Sequence, residues 1–171
     1  MVNPGFVYPT FFFANRFSAD RSQWLVGPDI SSDNTNSLET LQFVQASLRN
    51  CLQNHNFCGA KISHVPWRPT RLLKLDHPSK NQIALLNHLE AFDEDFSNYI
   101  TLSHCWGQGE LIQLTSLTYP SLAKGFYVNA LPRTFQDAIK ITRSLGVSFI
   151  WIDSLCIFQD SKEDWGIEAS R

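Results

Sequence analysis

The sequence lacks the long apolar runs and the strong charge imbalance that would direct it to a membrane or a nucleic acid. No stretch of its 171 residues reaches the roughly 18 consecutive apolar residues that span a bilayer. Charged residues make up only 18% and the net charge is -2, so bulk electrostatics attracts neither nucleic acid nor an anionic membrane surface. Because 43% of the residues are hydrophobic, we expect a globular domain with a core. From the small net charge and the lack of a long apolar run, we expect no nucleic-acid or membrane partner.

Targeting and cofactor signals are also scarce. The apolar stretch 6–13 contains Pro9 and has no basic start, which makes it a poor secretion signal. We therefore expect a cytoplasmic protein whose four cysteines are thiols in a reducing compartment. The glycines near residue 107 do not form G-x-G-x-x-G, so no dinucleotide fingerprint indicates a bound cofactor.

A metal site has one incomplete candidate. Cys51 and His55 are four residues apart on a predicted helix, and Cys58 follows. Structural zinc requires four ligands and usually C-x2-4-C spacing, which is absent here, although His64 could supply a fourth ligand. The alternative is a helix face that packs on the domain, and we expect no metal.

Periodicity predicts several elements. Apolar residues spaced by three and four predict a helix at about 38–55, which Ser37 could cap. Two short apolar runs around a turn-rich segment predict a hairpin at about 71–86, and the alternation at 99–103 predicts a strand.

The clearest pattern lies between residues 132 and 171. Pro132 opens a helix that ends near Leu145, Gly146 stands where a C′ residue should, and a continuous apolar run, 147–152, follows at once. Such a run is typical of a strand buried on both faces, as in a parallel sheet. A second helix is expected to begin at about 162–164. This order predicts an α/β fold.

Three blocks of the sequence resemble the HET (heterokaryon incompatibility) domain family. They are Tyr99-Ile-Thr-Leu-Ser-His-Cys-Trp-Gly107, Leu131-Pro-Arg-Thr-Phe-Gln-Asp-Ala-Ile139, and Trp151-Ile-Asp-Ser-Leu-Cys-Ile-Phe-Gln-Asp160 followed by Asp164-Trp165 and Glu168-Ala169. The stretch Pro69-Thr-Arg-Leu-Leu73 also resembles the region that often precedes this domain. The resemblance implies an N-terminal extension over 1–98, with a helix and a hairpin, and a HET domain over 99–171. That domain is expected to be truncated at its C-terminus, because family members usually continue further.

The resemblance also implies a fold and a function. HET domains are distantly similar to TIR domains, so a TIR-like or flavodoxin-like sheet flanked by helices is expected. The implied function is cytoplasmic signalling in fungal non-self recognition and programmed cell death, an innate-immunity role carried by contacts with other proteins, self-association included. One alternative is a TIR-like NAD glycohydrolase, with NAD as substrate. A second alternative is a zinc-stabilised interaction module.

Candidate ligand-binding residues follow two predicted strands. Ser103, His104, Trp106 and Gly107 come directly after the first strand and Asp153 after the second, where open α/β sheets place ligands. The alternatives are that this loop is core with a plain turn, and that Asp153 caps the next turn through the N–H groups of residues 155 and 156.

Two further residues are candidates for chemistry. Glu168 lies three residues after Trp165, the W-x-x-E-like spacing that the TIR resemblance associates with catalysis, and a partly buried Glu168 would suit acid–base work. The alternative is a solvated surface residue. Cys156 is a nucleophile only if a histidine, His104 being the obvious one, lies beside it, and a buried hydrophobic role is the alternative.

Overall fold

The computed structural model describes residues 34–54, 68–79, 81–88, 90, 98–106 and 112–169. Contacts divide these residues into two units. The described part of the first unit is residues 34–54, and the described part of the second unit begins at residue 68.

The described part of the first unit holds the helix α1 (Leu38–Asn54), which confirms the helix predicted from periodicity. Ser37 caps it as expected, because its hydroxyl accepts the backbone N–H of Thr40 at 3.1 Å. No residue of α1 is buried, and Leu38 remains 70% exposed.

The second unit is built on a sheet. Its described strands are β1 (Arg71–Lys74), β2 (Gln82–Asn87), β3 (Ile100–Leu102), β4 (Phe126–Tyr127) and β5 (Phe149–Ile152). They lie in the order β3-β5-β1-β2-β4, and the sheet is open. The predicted hairpin is confirmed as the antiparallel pair β1 and β2. Because β1 also pairs with β5, the sheet uses strands from both sides of the boundary expected at residue 98.

The α/β fold class is confirmed, but the sheet is mixed and not parallel throughout. Among the described strands β3 and β5 are parallel, whereas β5–β1, β1–β2 and β2–β4 are antiparallel. The apolar run around β5 therefore marks a central strand, as expected, with one parallel and one antiparallel neighbour.

Helices complete the second unit. They are α2 (Tyr119–Lys124), α3 (Arg133–Ser144), the short α4 (Asp153–Cys156) and α5 (Lys162–Ala169), with a 3-10 turn at Val128–Ala130. The apolar stripe of α3, which includes Phe135 and Ile139, packs on the sheet face that carries Leu73 and Ile150. The opposite sheet face buries Leu72 and Phe149. In the described ranges no helix has the length and apolar content that a membrane span requires.

The end of α3 is set by glycine, as predicted. Gly146 has φ +74°, a left-handed conformation that L side chains rarely adopt. The N–H of Gly146 donates to the carbonyl of Arg143, and the N–H of Val147 donates to that of Thr142. This Schellman arrangement stops the helix and turns the chain directly into β5.

Candidate functional site

The site lies where β3 and β5 end. These strands are parallel neighbours, with Leu102 opposite Ile152, so their carboxyl ends meet at one edge of the sheet. The loop after β3 carries His104 and Trp106, and Asp153 follows β5 directly. Three of the predicted ligand-binding residues are therefore brought together.

Asp153 is the centre of this edge. Its Oδ2 accepts the indole N–H of Trp106 at 2.7 Å, and its Oδ1 accepts the backbone N–H of Ser154 at 2.7 Å. The second bond satisfies a donor in the first turn of α4, but the cap expected through the N–H groups of residues 155 and 156 does not form. The carboxylate is 24% exposed and is thus both anchored and accessible.

His104 lies behind this carboxylate with its side chain only 4% exposed. Its ring meets Phe135 of α3 edge-on, with 4.8 Å between centroids. Nδ1 is 3.7 Å from Asp153 Oδ1, too long for a hydrogen bond, and neither ring nitrogen has a hydrogen-bond partner in the described structure. A buried imidazole whose ring nitrogens both lack a hydrogen-bond partner is uncommon.

Helix α5 reaches the same edge through Trp165. The Trp165 and Trp106 rings are tilted by 36° with centroids 6.4 Å apart. The indole N–H of Trp165 donates to Gln159 Oε1 at 3.3 Å. Both indoles are partly buried, and each N–H is held by a side-chain acceptor.

A second polar cluster fastens α5 to β1. Arg71 is buried, and its Nη2 contacts both carboxylate oxygens of Asp164, at 2.7 and 2.5 Å. Its Nε donates to the Cys156 carbonyl at 2.8 Å, and its guanidinium lies 4.8 Å above the Phe158 ring. The pair is therefore a buried ion pair with further bonds around it, the arrangement that a charge needs away from water.

Glu168 belongs to this second cluster. It is 3% exposed, and its carboxylate accepts both the backbone N–H of Thr70, at 3.2 Å, and the Thr70 hydroxyl. The burial of Glu168 excludes the solvated surface residue that the sequence left as an alternative. In the structure its carboxylate faces Thr70, and Trp165 of the same helix contacts the loop after β3.

Cys156 is the last residue of α4, and its side chain is fully buried in the core. Burial raises the pKa of its thiol to about 12, so the neutral form dominates at physiological pH. A nucleophilic cysteine needs a low pKa and access, so this environment fits the buried hydrophobic role that the sequence left open.

The remaining candidates are placed less centrally. Ser103 is exposed, and Gly107 lies outside the described residues. Of the weak zinc candidates, Cys51 is partly buried on α1, whereas His55 and Cys58 lie outside the described residues. Within the part of the chain that the structure describes, no three metal-ligating side chains come together.

Sequence reasoning missed Thr70 and Arg71 as site residues. They are 98 and 93 positions away from the carboxylates they contact, and local periodicity carries no information about such pairs. The available signal was the resemblance of 69–73 to the segment that often precedes the domain.

An open mixed sheet with two polar clusters at one edge defines an α/β protein whose motif residues converge on Asp153. Residues 99–171 match the family model described as heterokaryon incompatibility protein (HET). The C-terminal part of the chain, residues 99–171, is therefore similar to that family. No curated protein and no solved structure matches the chain.

Proposed function

We propose that this chain is a cytoplasmic signalling module of fungal heterokaryon incompatibility, which acts through contacts with other proteins and leads to programmed cell death. The match of residues 99–171 to the HET family supports the incompatibility role.

The observation that carries the proposal is the convergence of the three motif blocks. His104 and Trp106 come from the first block, Phe135 from the second, and Asp153 and Trp165 from the third. They are joined by the Trp106–Asp153 hydrogen bond, the His104–Phe135 contact and the Trp106–Trp165 contact. We call these five residues the motif assembly.

The exposure and the internal hydrogen bonds of the motif assembly support its role as a surface that binds other proteins. Asp153 and both indoles are anchored by internal hydrogen bonds and remain partly exposed. Fixed, partly exposed aromatic and charged side chains are what protein interfaces use as binding hot spots, because little conformational entropy is lost on contact.

The position of Glu168 supports recognition over NAD hydrolysis. A carboxylate that stabilises an oxocarbenium-like state must reach the substrate. Glu168 is 3% exposed, and both of its oxygens accept hydrogen bonds from Thr70. These contacts give it a structural task that accounts for its burial.

Inducible expression of the chain in a filamentous fungus tests the proposal. We expect loss of viable cells on induction, and a strong reduction of that loss by Asp153→Asn at equal protein abundance. Asp137→Asn is the matched control, because it neutralises an exposed carboxylate on α3 away from the assembly. Normal growth of cells that contain the folded, unaltered chain would refute a death-signalling role.

A further inference from the structure

The carboxylates near α5 differ in how their charge is balanced. Asp164 is paired with Arg71, and Glu168 is held by Thr70. Asp153 accepts two N–H groups, and among the described residues its ion-pair contact is with His104, at 3.7 Å from Nδ1 to Oδ1. No lysine or arginine of the described residues forms an ion pair with it. Among the described residues, Asp153 is therefore a partly exposed carboxylate without a lysine or arginine counter-ion.

This carboxylate also has unused hydrogen-bonding capacity. An ionised carboxylate offers about four lone-pair sites, and the Trp106 and Ser154 donors occupy two of them. His104 approaches from the buried side, since its own side chain is 4% exposed. The exposed side of Asp153 is left for a donor from outside the described residues.

The two indoles supply a second element of recognition. Trp106 is tied directly to Asp153 and lies next to Trp165, and both rings are held by their N–H bonds. Indole faces attract cations through the ring quadrupole, and tryptophan does so more strongly than the other aromatic residues. A carboxylate with no lysine or arginine partner among the described residues, beside two fixed indoles, therefore favours a cation.

Among cations, a guanidinium matches these groups best. It is planar, so it can stack on an indole, and it presents two parallel N–H groups to a carboxylate. An ammonium is a compact point charge that has no plane to stack on an indole and no fixed pair of parallel N–H groups, so it matches these groups less closely.

We propose that Asp153, Trp106 and Trp165 form a binding site for an arginine side chain of a partner protein. The inference rests on the proposed function, because it names the chemistry of the partner at the motif assembly.

The test is an NMR titration of the whole chain labelled at the tryptophan indole nitrogens, with N-acetylarginine amide as the probe. We expect saturable shifts of the Trp106 and Trp165 indole N–H signals, which single Trp→Phe variants assign. N-acetylcitrulline amide has nearly the same size but no charge, and it should bind at least about tenfold more weakly.

Two variants sharpen the result. Asp153→Asn should weaken binding of the arginine amide at least about tenfold, whereas Asp137→Asn should leave it unchanged. If the first variant fails to fold, the comparison of arginine and citrulline on the unaltered chain decides alone. Equal shifts from both probes, or no saturable shift from the arginine amide, would overturn the site.

The NMR titration tests the arginine site independently of the proposed function, because it measures binding to the purified chain and not killing of cells. A chain that kills but does not distinguish arginine from citrulline keeps the signalling role and loses the arginine site. A chain that binds arginine selectively but does not kill keeps the site and loses the role.

Discussion

Two ion pairs of the same kind differ in how far their side chains are exposed to water. The Arg71 and Asp164 side chains are 6% and 18% exposed and satisfy each other. The Arg133 and Asp137 side chains form a pair of the same kind on the surface, where they are 80% and 47% exposed. The contrast matters because a buried ion that loses its partner cannot recover its hydration, whereas an exposed one can.

At Arg71 we therefore predict a large effect of losing the charge. Arg71→Met should lower the free energy of unfolding by about 3–5 kcal/mol, because it leaves Asp164 partly buried without a counter-ion. Arg133→Met should change it by less than about 1 kcal/mol. Urea denaturation of the two variants and the unaltered chain measures both effects.

A double variant tests the reason for that effect. If the unpaired charge is responsible, Arg71→Met combined with Asp164→Leu should recover part of the lost stability. Equal losses from Arg71→Met and Arg133→Met would show that the buried pair contributes no more than the exposed one.

Cys156 gives a prediction in pH. Its ordinary pKa of 9.0 is raised to about 12 by burial. Between these values the unfolded chain releases a proton that the folded chain retains, so stability falls as pH rises. The stability advantage of the unaltered chain over Cys156→Ala should shrink by about 1.4 kcal/mol at pH 10.

The control for alkaline effects elsewhere in the protein is Cys105→Ala, which alters an exposed thiol. Denaturant unfolding at pH 8 and pH 10 provides the comparison. An advantage over Cys156→Ala that is the same at both pH values would mean that the thiol ionises equally in both states.

At the scale of elements, α5 is attached mainly by polar contacts. Glu168 is its buried residue, Ile167 is 43% exposed, and Gly166 lies in its middle. Apolar side chains hold α3 on the sheet, but α5 buries few of them. The Thr70–Glu168 and Arg71–Asp164 contacts hold α5 instead. Period-based reasoning predicted α3 well because its stripe is apolar, and it could not show how α5 is held.

For α5 we predict that Glu168→Gln and Thr70→Val have similar consequences. Glu168→Gln replaces one acceptor oxygen with an NH2 group, and Thr70→Val removes the hydroxyl donor. Each therefore removes one of the two hydrogen bonds between these residues, which should cost about 1–3 kcal/mol of stability. Because both disturb the same contact, the double variant should cost clearly less than the sum of the two. Urea denaturation of the three variants measures this coupling.

The same variants separate a structural Glu168 from a catalytic one. Nicotinamide release from NAD should be absent from the unaltered chain if Glu168 serves only to hold α5. Release that Thr70→Val preserves and Glu168→Gln abolishes would instead establish the enzyme alternative.

At the scale of the whole molecule, local patterns predicted most elements but not how the sheet is assembled. The periodicity of α3, the glycine after it and the apolar run at β5 are properties of neighbouring residues, and all three are confirmed. The insertion of β1 between β5 and β2 depends on pairing across more than seventy residues, as between Leu73 and Ile150. No local pattern specifies such a pairing, so the mixed sheet was not predicted.

The candidate site was predictable to the same extent. Parallel pairing of β3 and β5 brings Trp106 and Asp153 together, which the sequence anticipated from their positions after two strands.

Gly125 and the short strand β4 beside it carried too little periodicity to be predicted. Gly125 has φ +114°, a backbone conformation that only the structure reveals.

The proposed signalling role requires that the motif assembly act as one unit, and a double-variant cycle measures this coupling. Trp106→Phe removes the donor of the bond to Asp153 and keeps an aromatic ring, while Asp153→Asn removes the charge of the acceptor. Killing in the fungal host is measured for both variants and their combination, at protein levels matched by immunoblot. We expect each single variant to reduce killing strongly, and the double variant to reduce it hardly further than either single variant does. Full killing by either single variant, or independent additive losses, would contradict this expectation.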